Sequence, residues 1–106
     1  MAALRKTELD RLRDIILTLL EPYQVERVAL FGSVVRDEDT PGSDIDILVA
    51  LPPPGRRPVI GLKWLDLAEE LSILLERPVD LVTEDGLSPY IRPYIEDEMV
   101  ILYEKA

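Results

Sequence analysis

Residues 31–51 read FGSVVRDEDTPGSDIDILVAL, and their order decides how the rest of the chain is read. An apolar run ends at Phe31, Gly32 and Ser33 follow, and after ten further residues Asp44-x-Asp46 opens a second apolar run. Side chains at i and i+2 of a strand share a face and lie roughly 6.5 to 7 Å apart along the backbone. Two carboxylates in that arrangement can reach one divalent ion. Gly32 permits a tight exit from the preceding strand, and Ser33 is placed to cap a short helix through Val34, Val35 and Arg36.

Working outward, Val25 to Phe31 alternates and ends in β-branched and aromatic residues, which predicts a first strand. Upstream, Thr7-x-x-Asp10 has the form of a capping box. Leu9, Leu12, Ile15, Ile16, Leu19 and Leu20 follow at helical spacing until Pro22, predicting an amphipathic first helix. Downstream, Pro41-Gly42 predicts a type II turn, and Asp44 to Leu51 a second strand with a buried end, ILVAL. Pro52-Pro53-Pro54-Gly55 then stops it.

From Pro58 to Glu76 the spacing of Ile60, Trp64, Leu67, Leu71 and Leu74, widened by Leu65, Ala68 and Leu75, predicts a long helix with a core-facing stripe. Val79 to Val82 predicts a short strand in which Asp80 is the anomalous residue. Ser88 and Pro89 read as the start of a last helix that Pro93 shortens or kinks. Tyr90 and Tyr94 read as packing residues there, and Met99 to Tyr103 as a final strand.

The 106 residues are expected to form a single domain, residues 1–106, and 47% hydrophobic content supplies one modest core. With no cysteine and no histidine, disulfides, thiolate or imidazole zinc sites and Ser-His or Cys-His catalysis are excluded. Any chemistry falls to carboxylates and hydroxyls. The net charge of −9 argues against a nucleic-acid backbone as partner and suits a basic protein, although acidity also serves solubility alone. The N-terminus lacks a signal-peptide run, and no stretch approaches the ~20 apolar residues of a membrane helix. A soluble, cytoplasmic protein without membrane contact is expected.

For Ser33 to meet Asp44, the first two strands must be antiparallel. The long helix joins the second and third strands as a right-handed crossover, which makes them parallel and sets Asp80 beside Asp44 and Asp46. Three carboxylates would then converge at one sheet edge, where each like-charged pair at about 4 Å costs on the order of 4 kcal/mol at an effective dielectric near 20. Mg²⁺ or Mn²⁺ would relieve that cost, and two such ions suit an in-line phosphoryl displacement. The Gly32–Ser33 turn offers close backbone approach and N–H groups to a triphosphate. The implied reaction is transfer of a nucleoside monophosphate with loss of pyrophosphate.

Each piece also has a plainer reading. Gly-Ser serves as an exit turn in many chains, Asp-x-Asp as the wet face of an edge strand, and Asp80 as an exposed strand residue. Arg36 reads equally as a phosphate contact or as a surface partner of Asp37 or Glu38. Arg56-Arg57 reads better as surface than as a phosphate or partner site.

Gly32-Ser33, ten residues, then Asp44-x-Asp46 is similar to the signature of the DNA polymerase β-like nucleotidyltransferase superfamily. The short length and the segments LDLAEELSILLERPVDLV and IEDEMVILYE resemble its minimal nucleotidyltransferase (MNT) branch. The resemblance implies an α+β fold, a small mixed sheet of about four strands with helices packed against it. It implies that Asp44 and Asp46 hold two Mg²⁺ ions, with Mn²⁺ as a substitute, and that Asp80 is the third catalytic and metal-holding carboxylate. Gly32 and Ser33, with Arg36, would bind the nucleotide. It further implies an antitoxin that transfers AMP from ATP to a tyrosine of a HEPN-domain RNase toxin within a hetero-oligomer. One departure bears on Arg36: many relatives have Gly after it, where this chain has Asp37. Two alternatives share the motif, a steric antitoxin that binds without catalysis and a transferase acting on a small molecule.

Overall fold

The protein is described here from a computed structural model that defines residues 6–35, 44–53, 55 and 63–105. Its helices are α1 (Lys6–Leu20), α2 (Lys63–Leu75) and α3 (Arg92–Glu98). Its strands are β1 (Arg27–Phe31), β2 (Ile45–Ala50), β3 (Val79–Thr83) and β4 (Val100–Glu104). The strands form one mixed sheet in the order β3-β2-β1-β4. β1 is antiparallel to both β2 and β4, and β2 is parallel to β3. The α+β class, the antiparallel β1–β2 pair and the parallel β2–β3 pair are those expected from the sequence; the pairing of β4 with β1 adds to them.

Among the described residues, the two faces of the sheet are covered unequally. Strand alternation sends Val28, Leu30, Ile45, Ile47 and Val49 to one face, where they pack with Ile16 and Leu20 of α1 and Leu67 and Leu71 of α2. Burying each such Leu or Ile contributes about 1.5 to 3 kcal/mol, so this face supplies most of the core. On the other face Ala29 and Leu48 meet Ile95 of α3, with Phe31, Val82, Leu87 and Met99 around them. A seven-residue helix covers only part of a four-stranded sheet. Among the described residues, no helix is long and apolar enough to cross a membrane.

Several local expectations are corrected. Thr7 lies inside α1 rather than capping it. The helix ends as predicted near Pro22, in a 3-10 turn over Glu21–Tyr23 with Gln24 left-handed at φ 56°. Residues 41, 42, 56, 57 and 60, which carry the predicted turn, the Arg pair and the start of the α2 stripe, lie outside the described residues. In α2 the core-facing line is Trp64, Leu67, Leu71 and Leu75, while Leu65 and Leu74 are exposed. The spacing 3, 4, 4 keeps that line on one side, while Leu74 lies about 65° and Leu65 about 115° from its mean direction. Trp64 meets Tyr23 edge to face, with ring centroids 5.8 Å apart.

Ser88 opens a turn rather than α3 itself. Its Oγ accepts the Tyr90 N–H at 3.2 Å and its carbonyl accepts the Ile91 and Arg92 N–H groups. Pro93 then falls in the first turn of α3, where its missing N–H costs no hydrogen bond. Tyr90 and Tyr94, expected to pack, are 85% and 75% exposed, because Ile95 takes the single inward position of this short helix.

Candidate active site

The site is built where β1 ends and β2 and β3 begin. The start of β2 is tied to the start of β3 by the Ile45 N–H, which donates to the Pro78 carbonyl at 2.9 Å. Ser72 of α2 ties the same point to the helix layer. Its Oγ donates to the Ala68 carbonyl at 2.9 Å and accepts the Val79 N–H at 3.0 Å. The residues next in line, Asp46 and Asp80, are therefore held in fixed register.

That register places Phe31 opposite Asp46 and Asp46 opposite Asp80. Neighbouring strands lie about 4.8 Å apart and opposed side chains share a face. Asp46 shares its face with Leu48, and Asp80 with Val82, which is the face that α3 only partly covers. Asp80 is exposed and Asp46 partly buried. Asp44 is exposed and sits one residue ahead of β2 rather than within it.

Gly32 turns the chain off β1 at φ +78°, into a 3-10 turn over Gly32–Val34 closed by the Val35 N–H to the Gly32 carbonyl at 3.1 Å. A Cβ at Gly32 would collide with Asp46 Oδ2 and stand 3.1 Å from its Cγ. Both the dihedral and the close approach therefore favour glycine. Ser33 is the second residue of this turn, inside it rather than at its cap. Arg36 lies outside the described residues.

One residue at this site had drawn no notice in the sequence. Glu98, at the end of α3, accepts the Gly32 N–H on Oε1 at 3.3 Å. It lies in the segment IEDEMVILYE, and no local pattern ties it to residue 32, 66 positions away.

The donor set at this corner is hard carboxylate oxygen, which matches Mg²⁺ or Mn²⁺. Among the described residues, no group of three or more His, Cys, Asp or Glu side chains is gathered closely enough to hold an ion by itself. Magnesium usually combines one or two carboxylates with substrate phosphates rather than an all-protein cage. The register of Asp46 and Asp80 fits that mode.

The nucleotidyltransferase domain family model matches residues 9–102, from α1 to the middle of β4. A chain of Methanocaldococcus jannaschii, provisionally named a protein adenylyltransferase, is 40% identical over 85 residues, 79% of this chain and 83% of that one. The protein adenylyltransferase MntA of Thermococcus cleftensis is 38% identical over 82 residues, 77% of this chain and 79% of that one. Among solved structures, the complex of a tri-AMPylated Shewanella oneidensis HEPN toxin with its MNT antitoxin contains a chain of similar fold. The TM-score is 0.69 at 22% identity, covering 92% of this chain and 73% of that one. The match spans the Gly-Ser turn, both acidic strand starts and the sheet that aligns them; the chain belongs to the nucleotidyltransferase domain family, and relatives of it there are named protein adenylyltransferases.

Proposed function

We propose that this chain is an antitoxin that transfers AMP from ATP to a hydroxyl, a tyrosine's, on a cognate HEPN-domain RNase toxin, and so inactivates it. The observation that carries the reading is the cross-strand line Phe31, Asp46, Asp80 with Gly32 folded against the Asp46 carboxylate. The named adenylyltransferase relatives and the likeness to the MNT chain of the AMPylated toxin complex support it.

Asp44, Asp46 and Asp80 would hold Mg²⁺, two ions in all, which when bound neutralises the triphosphate and the departing pyrophosphate. Gly32 and Ser33 position the phosphates through a turn whose left-handed φ and close approach to Asp46 favour glycine at residue 32. Asp80, the most accessible of the opposed pair, faces the acceptor and takes its proton. The acceptor oxygen then bonds to the α-phosphorus while the bond from that phosphorus to the bridging oxygen breaks. Pyrophosphate leaves with the electron pair. Among the described residues, the part of this face that α3 leaves uncovered gives a protein substrate room to reach these groups.

The test is to incubate the chain with Mg²⁺, α-labelled ATP and the product of the adjacent gene, beside an Asp44→Asn/Asp46→Asn control. Label moving to the partner only with intact acids is the expected result. A tight complex without transfer, with the toxin still neutralised by the control, would replace this reading with steric antitoxin action. Label appearing on a small molecule instead would identify a different acceptor.

A further inference from the structure

We propose that Glu98 is a positioning residue for the nucleotide-binding turn, acting through the Gly32 amide; the inference rests on the reading that Gly32 and Ser33 hold the nucleotide phosphates. In the β1–β4 ladder Leu30 is opposite Val100, and continuing that register by two residues sets Gly32 opposite Glu98. β4 begins only at Val100, so no strand backbone is there to take the Gly32 N–H. The Glu98 side chain takes it instead, at 3.3 Å. It supplies the next rung of the ladder from a helix end.

This contact fixes the one residue whose conformation decides the site. Gly32 has no side chain to anchor it, and its φ of +78° is only one of several regions open to glycine. Two carboxylates fix it from different sides: Glu98 at the N–H, and Asp46 where a Cβ would stand. The helix that carries Glu98 is braced at its other end. Arg92 NH2 pairs with the buried Glu84 at 2.9 Å, and Ile95 packs onto Ala29 and Leu48 in between. α3 is thus a strut about 10 Å long, held at Arg92 and bearing on Gly32 through Glu98.

The test compares Glu98→Ala with Glu98→Gln, which keeps an acceptor oxygen. Binding of a fluorescent ATP analogue with Mg²⁺ is measured by titration, and exchange of the Gly32 amide hydrogen by NMR. Glu98→Ala should weaken nucleotide binding about tenfold, the factor that 1.4 kcal/mol represents, and speed Gly32 amide exchange. Glu98→Gln should restore both to within about twofold of the wild type. Wild-type affinity in Glu98→Ala overturns the proposal. So does tighter binding, which would mean the carboxylate competes with phosphate, or an equal loss in both variants, which would make its charge the agent. If the wild type itself binds no nucleotide, the functional reading fails. The amide exchange then decides by itself whether Glu98 fixes the turn, and unchanged exchange in Glu98→Ala rejects that as well.

Discussion

The two ends of the sheet both collect carboxylates but treat them in opposite ways. At the end where β1 starts, Glu84 is buried and receives Arg27 at 2.6 Å and Arg92 at 2.9 Å, with Glu96 and Glu104 further out around the same guanidinium groups. At the other end, where β1 stops, Asp46 and Asp80 face each other across paired strands, and among the described residues no Lys or Arg pairs with Asp44 or Asp80. A buried acid with two guanidinium partners fastens β1, the turn after β3 and α3 together. The exposed carboxylates of Asp44 and Asp80, on the proposed reading, leave a field that a cation and a phosphate chain would fill. On the proposed function, the difference separates holding from binding within one small sheet.

The sharpest way to break this comparison is to neutralise the second end. Asp44→Asn/Asp46→Asn should lower AMP transfer by roughly a thousandfold or more while leaving the melting temperature unchanged or slightly raised, since like charges are removed. Retained transfer would remove the site from this corner of the sheet. Next in size, Gly32→Ala should reduce transfer about a hundredfold through displacement of Asp46. It should also cost about 1 to 2 kcal/mol for the left-handed backbone, read by denaturant unfolding.

At the fastening end, Glu84→Gln should lower unfolding stability by about 2 kcal/mol, because the charge is lost and one of the two guanidinium groups meets an NH2 donor in place of a carboxylate oxygen. A loss below about 0.5 kcal/mol would show that end to be surface decoration. Saturating Mg²⁺ at ten times its dissociation constant should add about 1.4 kcal/mol to stability, seen as a higher melting temperature. Asp46→Asn should abolish the rise and Glu84→Gln should not. Smallest of all, Glu96→Ala should change stability by less than about 0.5 kcal/mol. Its pairing with Arg92 at 3.4 Å is half-exposed and one turn apart on a helix.

The strands and the pairings of the first three were legible because each strand carries its own period and the α2 crossover forces β2 and β3 to be parallel, whereas the place of β4 beside β1 was not. The meeting of Asp46 and Asp80 followed from that topology with no side-chain information. What stayed hidden was non-local. Glu84 reads as part of a Glu-Asp-Gly turn, and nothing nearby shows that Arg27, 57 residues earlier, neutralises it. Glu98 was invisible for the same reason. Tyr90 and Tyr94 misled because aromatic residues beside a short helix suggest packing, whereas α3 has too few turns to bury more than Ile95.

The pairing of β4 with β1 also bears on the order of synthesis. β1 is made early and β2 soon after, so one edge of β1 can be satisfied while the chain is still growing. Its other edge waits for Val100–Glu104, the last of these four strands in chain order, and until then presents open N–H and C=O groups beside Ala29 and Leu30. Glu98 arrives with that same closing segment. A nascent chain therefore carries both paired acids before it can fix the turn beside them, so nucleotide binding should mature only as the exposed edge is sealed.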